Sequence, residues 1–525
     1  MSKFIKDIIK GQKARDKMLK GMNVLADAVG STLGPRSRNV AVDRHPGQDL
    51  PPTVLHDGVS VARSINLKDV HEDMGVRLLK GAAMKTNEVA GDGTTTSTIL
   101  AQAIINEAFI SIAAGGNPML LKQEIEEAAK IVIKQLKEMA TPIKTDKEME
   151  QVAGISAADP LIGKLVSQAL KKVGKDGVIT VEDGTSYETT VEYKQGMEID
   201  RGYATTSPYF QTNGETTEAI IEEPYILLTD RKLNYARELA PFLDKFVKAK
   251  LKNIVIFAGE IVEEALQFLV INKLRGAINV LAVQSPAFGD RRIEELEDIA
   301  ILTGGKTILE DTGRSLDTVE ISELGRADKV VGDRDKTIVT GGKGDIESIK
   351  KRIDNLREQI KVANSPYDED IKKQRLAKLS GGVAVIKVGG ATEIEIKEKR
   401  ERVIDAKNAT RAAVEEGIVA GGEIALLHAG YRFLKPGSIM YNAVRSPFKK
   451  IIENSGFDYG DIRELMASKK YPFGIDVTDG KVKNLIKTGI IDPVKVTRTA
   501  LENAVSIAVM CITTDTLITD LIEEK

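Results

Sequence analysis

Gly91-Asp92-Gly93-Thr94-Thr95-Thr96 sets two glycines around one acid and follows them with three hydroxyl side chains. Apolar or small residues at Ile99, Leu100, Ala103 and Ile104 carry the chain on with helical spacing. The stretch reads as a tight turn opening into a helix N-terminus. Glycine permits positive φ and lets the backbone come close to a ligand. The unpaired N–H groups and positive dipole end of the helix attract an anion such as phosphate. The threonine hydroxyls add donors. An acid beside a polyphosphate is repelled unless a cation lies between them, which makes Asp92 a candidate Mg2+ ligand. The same letters also fit an ordinary capping turn with threonine as the N-cap.

The surrounding chain has 525 residues, more than one core holds. Hydrophobic residues make up 42% and charged ones 29%, the balance of a soluble globular protein. A net charge of −2 gives no basic footprint for nucleic acid. Aromatics at 4%, with no Trp, are thin for stacking on sugars or bases. The single cysteine, Cys511, rules out an intrachain disulfide framework and fits a reducing compartment. Its neighbours Val509, Met510 and Ile512 make it a buried thiol rather than a nucleophile. The N-terminus has no signal-peptide pattern, and no uninterrupted apolar run is long enough for a membrane span, so a cytoplasmic protein without a membrane partner is expected.

Outward from the turn, the N-terminal part is helical. Helices are expected over Lys13–Val29, Met74–Ala90 and Met119–Met139, with a short strand at Asn39–Asp43. Thr141-Pro142 is a boundary. A helical piece near Leu161–Val173 precedes two β-rich runs, Gly177–Glu182 and Tyr187–Tyr193, and Asp183-Gly184 between them signals a hairpin. From about Gly196 to Gly382 strands alternate with helices. Ile254–Ala258 and Val280–Val283 are buried-type strands, and helices are expected over Leu233–Val247, Val262–Lys273 and Arg292–Leu302. The charged stretch Ile346–Lys378 reads as a solvated helical hairpin. A strand from Gly382 leads into a long helix, Glu395–Glu416, and the remainder is helical again, with a β piece near Phe473–Thr478. The order implies nesting: an outer helical domain built from both ends, a connector built twice, and an inserted α/β domain.

The Val262–Lys273 segment is apolar on nearly every side, and Leu233–Val247 is apolar over more than one stripe. Either both helices are fully buried or each shows a second face to a partner. Tyr203 and Ser207-Pro208-Tyr209-Phe210 add an aromatic cluster in a turn-rich segment.

Taken in order, these pieces resemble the group I chaperonins, the sixty-kilodalton bacterial and organellar class, over essentially the whole chain. The carriers are Leu25-Ala-Asp-Ala-Val, Thr32-Leu-Gly-Pro, Asp57-Gly-Val-Ser-Val-Ala, the Gly91 stretch, Asn117-Pro-Met, Val178-Ile-Thr-Val-Glu-Asp-Gly, Phe288-Gly-Asp-Arg-Arg, Gly381-Gly-Val-Ala-Val-Ile-Lys-Val-Gly, Ala409-Thr-Arg-Ala-Ala-Val-Glu-Glu-Gly and Asp492-Pro-Val-Lys-Val-Thr-Arg. The resemblance implies a multidomain α and α/β fold. Residues 1–142 and 417–525 would form a mostly helical equatorial ATPase domain, 143–195 and 383–416 a small α/β intermediate domain, and 196–382 an inserted α/β apical domain. Hinges would fall at Pro142 with Gly417 and at Gly196 with Gly382.

It further implies ATP with Mg2+, and K+ as an accessory cation. Assembly would give homo-oligomeric rings, commonly of seven subunits and single or paired, with a co-chaperonin lid and unfolded protein clients. Thr32, Leu33, Gly34 and Pro35 would line the nucleotide site with His56. Asp92, Gly93, Thr94, Thr95 and Thr96 would hold the phosphates, with Asp92 on the metal, and Gly422, Asp476 and Asp492 would lie by the nucleoside. Asp405 would swing in on a mobile domain to direct the attacking water, assisted by Asp57 near the metal. Without the resemblance Asp405 reads as a solvated helix residue. Tyr203, Tyr209, Phe210, Ala240, Leu243, Leu266, Val270 and Ile271 would form the surface for clients and lid.

The chain departs from the family pattern at several points. His56 stands where a lysine is usual, which predicts weaker or more pH-dependent nucleotide use. Glu423 replaces a third glycine after Gly421-Gly422, and Asp476 an asparagine. Ala204-Thr205-Thr206 lengthens the loop before Ser207 by two residues, the segment after Glu423 is about ten residues short, and no Gly-Met-rich tail precedes Lys525. These departures keep a second reading open, a ring scaffold that binds clients with little ATP turnover. A P-loop kinase is disfavoured because Ala300 stands where the first Walker glycine must precede Gly305-Lys306-Thr307. A metal protease is disfavoured because none of the four histidines has H-E-x-x-H spacing.

Overall fold

The computed structural model describes residues 6–43, 52–157, 159–174, 177–204, 208–212, 217–363, 365–466 and 469–520. The lengthened loop at Thr205–Ser207 and the tail lie outside them. By internal contacts the chain forms two compact units. One comprises Met1–Ser167, Thr185–Tyr187 and Val388–Lys525, the other Gln168–Gly184 and Glu188–Lys387.

The first unit is helical and closes both ends of the chain on each other. Its strands β1 (Lys6–Lys10) and β22 (Thr516–Asp520) pair antiparallel, Ile8 opposite Ile518. The helices are α1 (Gly11–Gly30), α2 (Gly58–Ser64), α3 (Val70–Ala90), α4 (Thr94–Ala113), α5 (Pro118–Met139), α6 (Asp146–Ser156), α13 (Glu393–Glu416), α14 (Ile424–Phe433) and α19 (Val494–Thr513). Four shorter ones are α15 (Ile439–Ala443), α16 (Ser446–Asn454), α17 (Tyr459–Met466) and α18 (Leu485–Thr488). Strand β2 (Val40–Val42) pairs β3 (Thr53–Leu55), β18 (Ile418–Ala420) pairs β21 (Ile491–Pro493), and β19 (Phe473–Asp476) pairs β20 (Lys481–Asn484). Sequence spacing had no expectation for α6, which is short and starts at a capping box of Thr145 with Glu148.

Helix α4 lies at the centre, against α1, α3 and α19. Among the described residues it is the one helix long and apolar enough to cross a membrane. Its apolar surround is used inside the protein, where Leu100, Ala101, Ile104 and Ile105 are fully covered. Helices α1 and α3 touch backbone to backbone. A Cβ on Gly21 would lie 1.8 Å from the Glu72 carbonyl oxygen, and one on Gly75 2.1 Å from that of Met18. Only glycine at both positions permits this crossing.

The second unit is α/β. Strands β8 (Tyr225–Thr229), β10 (Asn253–Ala258), β12 (Asn279–Gln284) and β13 (Thr307–Ile308) run parallel in the order β12-β10-β8-β13, and β14 (Gly325–Arg326) joins β8 antiparallel. Ile254 through Ala258 are wholly buried, the mark of a parallel strand covered on both faces. Helices α8 (Ala236–Lys248), α9 (Glu263–Leu274) and α10 (Asp290–Thr303) accompany this sheet, and short β9 (Lys232–Leu233) and β11 (Glu260–Ile261) pair beside it. A second, antiparallel sheet takes the order β6 (Gly196–Ile199), β16 (Thr337–Thr340), β15 (Lys329–Gly332), β7 (Ala219–Glu222). Helix α7 (Pro160–Val173) precedes both sheets in the chain.

Two expectations are corrected here. Strands β4 (Val178–Asp183) and β5 (Thr190–Lys194) are not a hairpin, because β17 (Val383–Val388) lies between them. The apolar Val383–Ile386 run buries itself best as a central strand, and that outweighs the local turn signal. The charged hairpin exists as α11 (Ile346–Lys361) and α12 (Pro366–Gly381), yet it is not simply solvated. Arg375 is buried against Asp298 of α10, Nε to Oδ2 2.7 Å, and Arg352 Nε reaches Asp298 Oδ1 at 2.7 Å.

Candidate functional site

The Gly91 turn joins α3 to α4 through two left-handed glycines, Gly91 at φ 68° and Gly93 at φ 81°. Gly93 is the N-cap of α4 and no side chain caps the helix. The alternative of a threonine cap is therefore excluded, and the first-turn N–H groups of α4 have no side-chain acceptor. Thr94, Thr95 and Thr96 are all buried. Asp92 folds back to take the Gly93 N–H on Oδ1 and accepts the Ser156 hydroxyl on Oδ2 at 3.2 Å.

Three other segments close on this turn. The Gly30–Pro35 corner is held by Asn454, whose Nδ2 donates to the carbonyls of Gly30 and Leu33 at 2.9 Å each. There Thr32 Oγ1 stands 3.3 Å from Thr95 Oγ1. Asp57 caps α2 by accepting Ser60 N–H at 2.8 Å. A Cβ on Gly58 would sit 2.2 Å from Thr95 Oγ1, so α2 starts directly against α4. The third segment is α13, which carries Asp405 and packs on α6 and α19.

Asp405 is already packed near this turn. Its pKa is pushed well above the ordinary carboxylate range, by burial first and then by Asp92, Asp57 and Glu401. In this arrangement α13 belongs to the same compact unit as Asp92. Asp92 is itself raised, through burial and then Asp57, against the pull of its two hydrogen bonds. Asp492, on β21 opposite Val419, is pushed up to about 6 by burial, with Asp92 adding to the rise. The site gathers mutually repelling carboxyl groups beside an uncapped helix N-terminus, and among the described residues no three acidic, histidine or cysteine side chains form a ready-made metal site.

Not every expected member joins it. Asp476 is engaged in its own hairpin. Burial would raise its pKa, but Lys483 at 2.8 Å and Thr478 hold it below the usual range. His56 is partly exposed, with Nδ1 against the Asn39 side chain. One participant emerges that sequence reasoning treated only as a substitution. Glu423 is buried and accepts the Thr96 hydroxyl at 2.5 Å. Its pKa is pushed up to about 8, by burial and then by Asp492. The signal available beforehand was its position directly after Gly421-Gly422.

In the second unit the expected apolar surface divides. Phe210, Leu243 and Tyr203 lie in the core, a correction to their assignment as surface contacts. The Phe210 carbonyl accepts Lys273 Nζ at 2.8 Å and the ring lies under it, while burial lowers Lys273 to about 8. Leu266 and Val270 pack partly against the core, Ala240 is half-buried, and Tyr209 and Ile271 are 50% and 45% exposed. Helix α9 therefore has one face in the core, through Ala265 and Leu269, and a second face open.

A helical unit built from both chain ends around such a turn, with an α/β unit between them, defines the chaperonin fold. The model of the TCP-1/cpn60 chaperonin family matches residues 25–521, and the chain belongs to that family. Its structure is similar to that of the chaperonin gp146 from the bacteriophage EL 2 (Pseudomonas aeruginosa), crystallised in the presence of ATP-BeFx. In one crystal form the TM-score is 0.71 at 23% identity, covering 98% of this chain and 99% of that one. In another form the TM-score is 0.63 at 22% identity with the same coverage.

Proposed function

We propose that this chain is an ATP-hydrolysing chaperonin of the group I type. It would assemble into rings, capture unfolded polypeptides on apolar surfaces of residues 196–382 and enclose them, with a lid protein, for folding. The observation that carries the ATPase reading is the uncapped, glycine-initiated turn of α4 beside Asp92 and Asp405. The residues present fit ATP with Mg2+. First-turn N–H groups and the hydroxyls of Thr94–Thr96 suit phosphate oxygens, and the carboxylate pocket needs a cation to carry its charge. Asp92 would hold the metal and Thr32–Pro35 would line the site. Bound Mg2+ would supply neutralisation of polyphosphate charge. Asp405 would orient a water and accept its proton. Asp57 would orient the start of α2 against Thr95.

The three-part division at 142, 196, 382 and 416, the seven-membered ring, K+ as accessory ion and a cytoplasmic setting belong to the same proposal. Tyr209, Leu266, Val270 and Ile271 are the residues that offer clients apolar area, worth about 25 cal/mol per Å² buried. A second reading, a client-binding ring with weak turnover, is favoured by the Glu423 carboxyl group inside the site. Electron microscopy of the purified protein with and without ATP, together with phosphate release by wild type and Asp405→Ala, tests the proposal. Rings and a loss of turnover of about 100-fold or more are expected. A monomer under all conditions, or equal turnover by the variant, overturns it. Rings with negligible wild-type turnover select the second reading.

A further inference from the structure

Glu423 has a combination of properties that no other described residue shares. Gly422 and Glu423 are consecutive left-handed residues, at φ 63° and 64°. The described non-glycine residues with positive φ are Thr217, Glu223, Lys250, Glu263, Ala287 and Glu423, and only Glu423 among them is buried. Such a backbone is strained for a residue with a Cβ. Glu423 is the N-cap residue of α14, yet its side chain does not cap that helix. It turns instead to α4, where one carboxyl oxygen takes the Thr96 hydroxyl at 2.5 Å. The other oxygen is buried with no hydrogen-bond partner, although the residue is only 8% exposed. The charged groups that act on it are Asp492 and Asp92, both acids, and no cation offsets them.

A structural link between α4 and α14 accounts for the Thr96 contact alone. A glutamine would make that link without a charge. It would not require a carboxyl group among carboxylates with one oxygen left bare. What the arrangement does supply is a tethered carboxyl group, ionised once pH passes about 8, at the third residue of α4, inside the turn assigned above to phosphate.

We propose that Glu423 is an internal competitor for the polyphosphate seat: its carboxyl group occupies the first turn of α4 and must leave Thr96 before a nucleotide phosphate can engage that turn. The proposal rests on the nucleotide reading of the site. It makes Glu423 a residue that sets nucleotide affinity by opposing phosphate charge. The release of Thr96 frees a hydroxyl donor for the incoming phosphate oxygen. Neutral parts of the ligand are not opposed, so the effect grows with phosphate charge.

The test is calorimetric binding of ATP, ADP and adenosine, with Mg2+, to the full-length protein and to Glu423→Gly and Glu423→Gln. Glycine accepts φ 64° without strain and glutamine is isosteric, so one variant relieves the backbone and the other preserves shape. Thermal melts of both confirm that they fold. At pH 9, where the wild-type carboxyl group is ionised, both variants are expected to bind ATP about tenfold more tightly, ADP less so, and adenosine unchanged, because only a charge has been removed from a partly desolvated site. Unchanged or weaker ATP binding by both overturns the proposal. Tightening by Glu423→Gly alone also overturns it, since bulk rather than charge would then be the obstacle. Weaker adenosine binding with no gain for ATP would make Glu423 a nucleoside contact and overturn it as well. Absence of nucleotide binding by all three proteins would instead defeat the nucleotide reading.

Discussion

Asn408 on α13 donates from Nδ2 to the carbonyl of Gly91 at 3.3 Å, and a Cβ placed on Gly91 would fall 2.4 Å from the Asn408 side chain. This contact seats the helix bearing Asp405 on the turn bearing Asp92. It works only because residue 91 has no side chain and holds φ at 68°. Gly91→Ala should therefore combine backbone strain with a clash, costing about 2–4 kcal/mol. Urea unfolding should show the loss, and phosphate release should fall more than stability does because Asp405 is displaced. An unchanged unfolding midpoint would remove Asn408 and Gly91 as the seat of α13.

The carboxylate pocket makes stability depend on pH with a defined sign. The pKa values of Glu423 and Asp492 in the folded protein are raised to about 8 and about 6, above their unfolded values. The folded state then binds more protons than the unfolded state, so stability is full at low pH and is lost as pH rises through these values. Between pH 7 and 8.5, roughly, Glu423 contributes to the change together with Asp405, which is also raised well above its ordinary value. Thermal melts without Mg2+ or nucleotide should show wild type losing stability across this window and Glu423→Gln losing less. Equal slopes would show that Glu423 does not titrate there.

In the α/β unit, Arg375 and Arg352 converge on Asp298, whose side chain is almost fully covered. Removing one partner leaves charge buried without compensation. Arg375→Ala should cost about 3–5 kcal/mol, and hydrogen exchange should report the loss in α10 and α12. A variant as stable as wild type would mean that Arg352 alone satisfies Asp298.

Cys511 is fully buried in α19, and burial pushes its thiol up to about 12. Folded protein at pH 8 should be inert to a thiol reagent, while denatured protein should react with one equivalent. The reaction rate then measures opening of the helical unit. Rapid labelling of folded protein would show that α19 is not held in the core.

The Gly91–Thr96 turn, the helices on either side of it and the α/β order of the middle segment were legible in the sequence, because each follows from local spacing and from backbone freedom at single glycines. The family motifs, spread over the whole chain, marked the same nesting. Tertiary structure decided whatever depends on neighbours distant in the chain. It placed β17 between β4 and β5 against a local hairpin signal, because a central strand buries more of Val383–Ile386. It sent Phe210 and Leu243 into the core and left Tyr209 and Ile271 outside, a distinction that apolar letters alone do not contain. At the site, Asp57, Asp92 and Asp405 were readable as types of residue, but their shared burial was not. Glu423 reads in sequence as a lost glycine. Only the approach of α4 to α14, across 327 positions of chain, turns it into a buried carboxyl group hydrogen-bonded to Thr96, because a carboxyl group acquires its chemistry from what surrounds it.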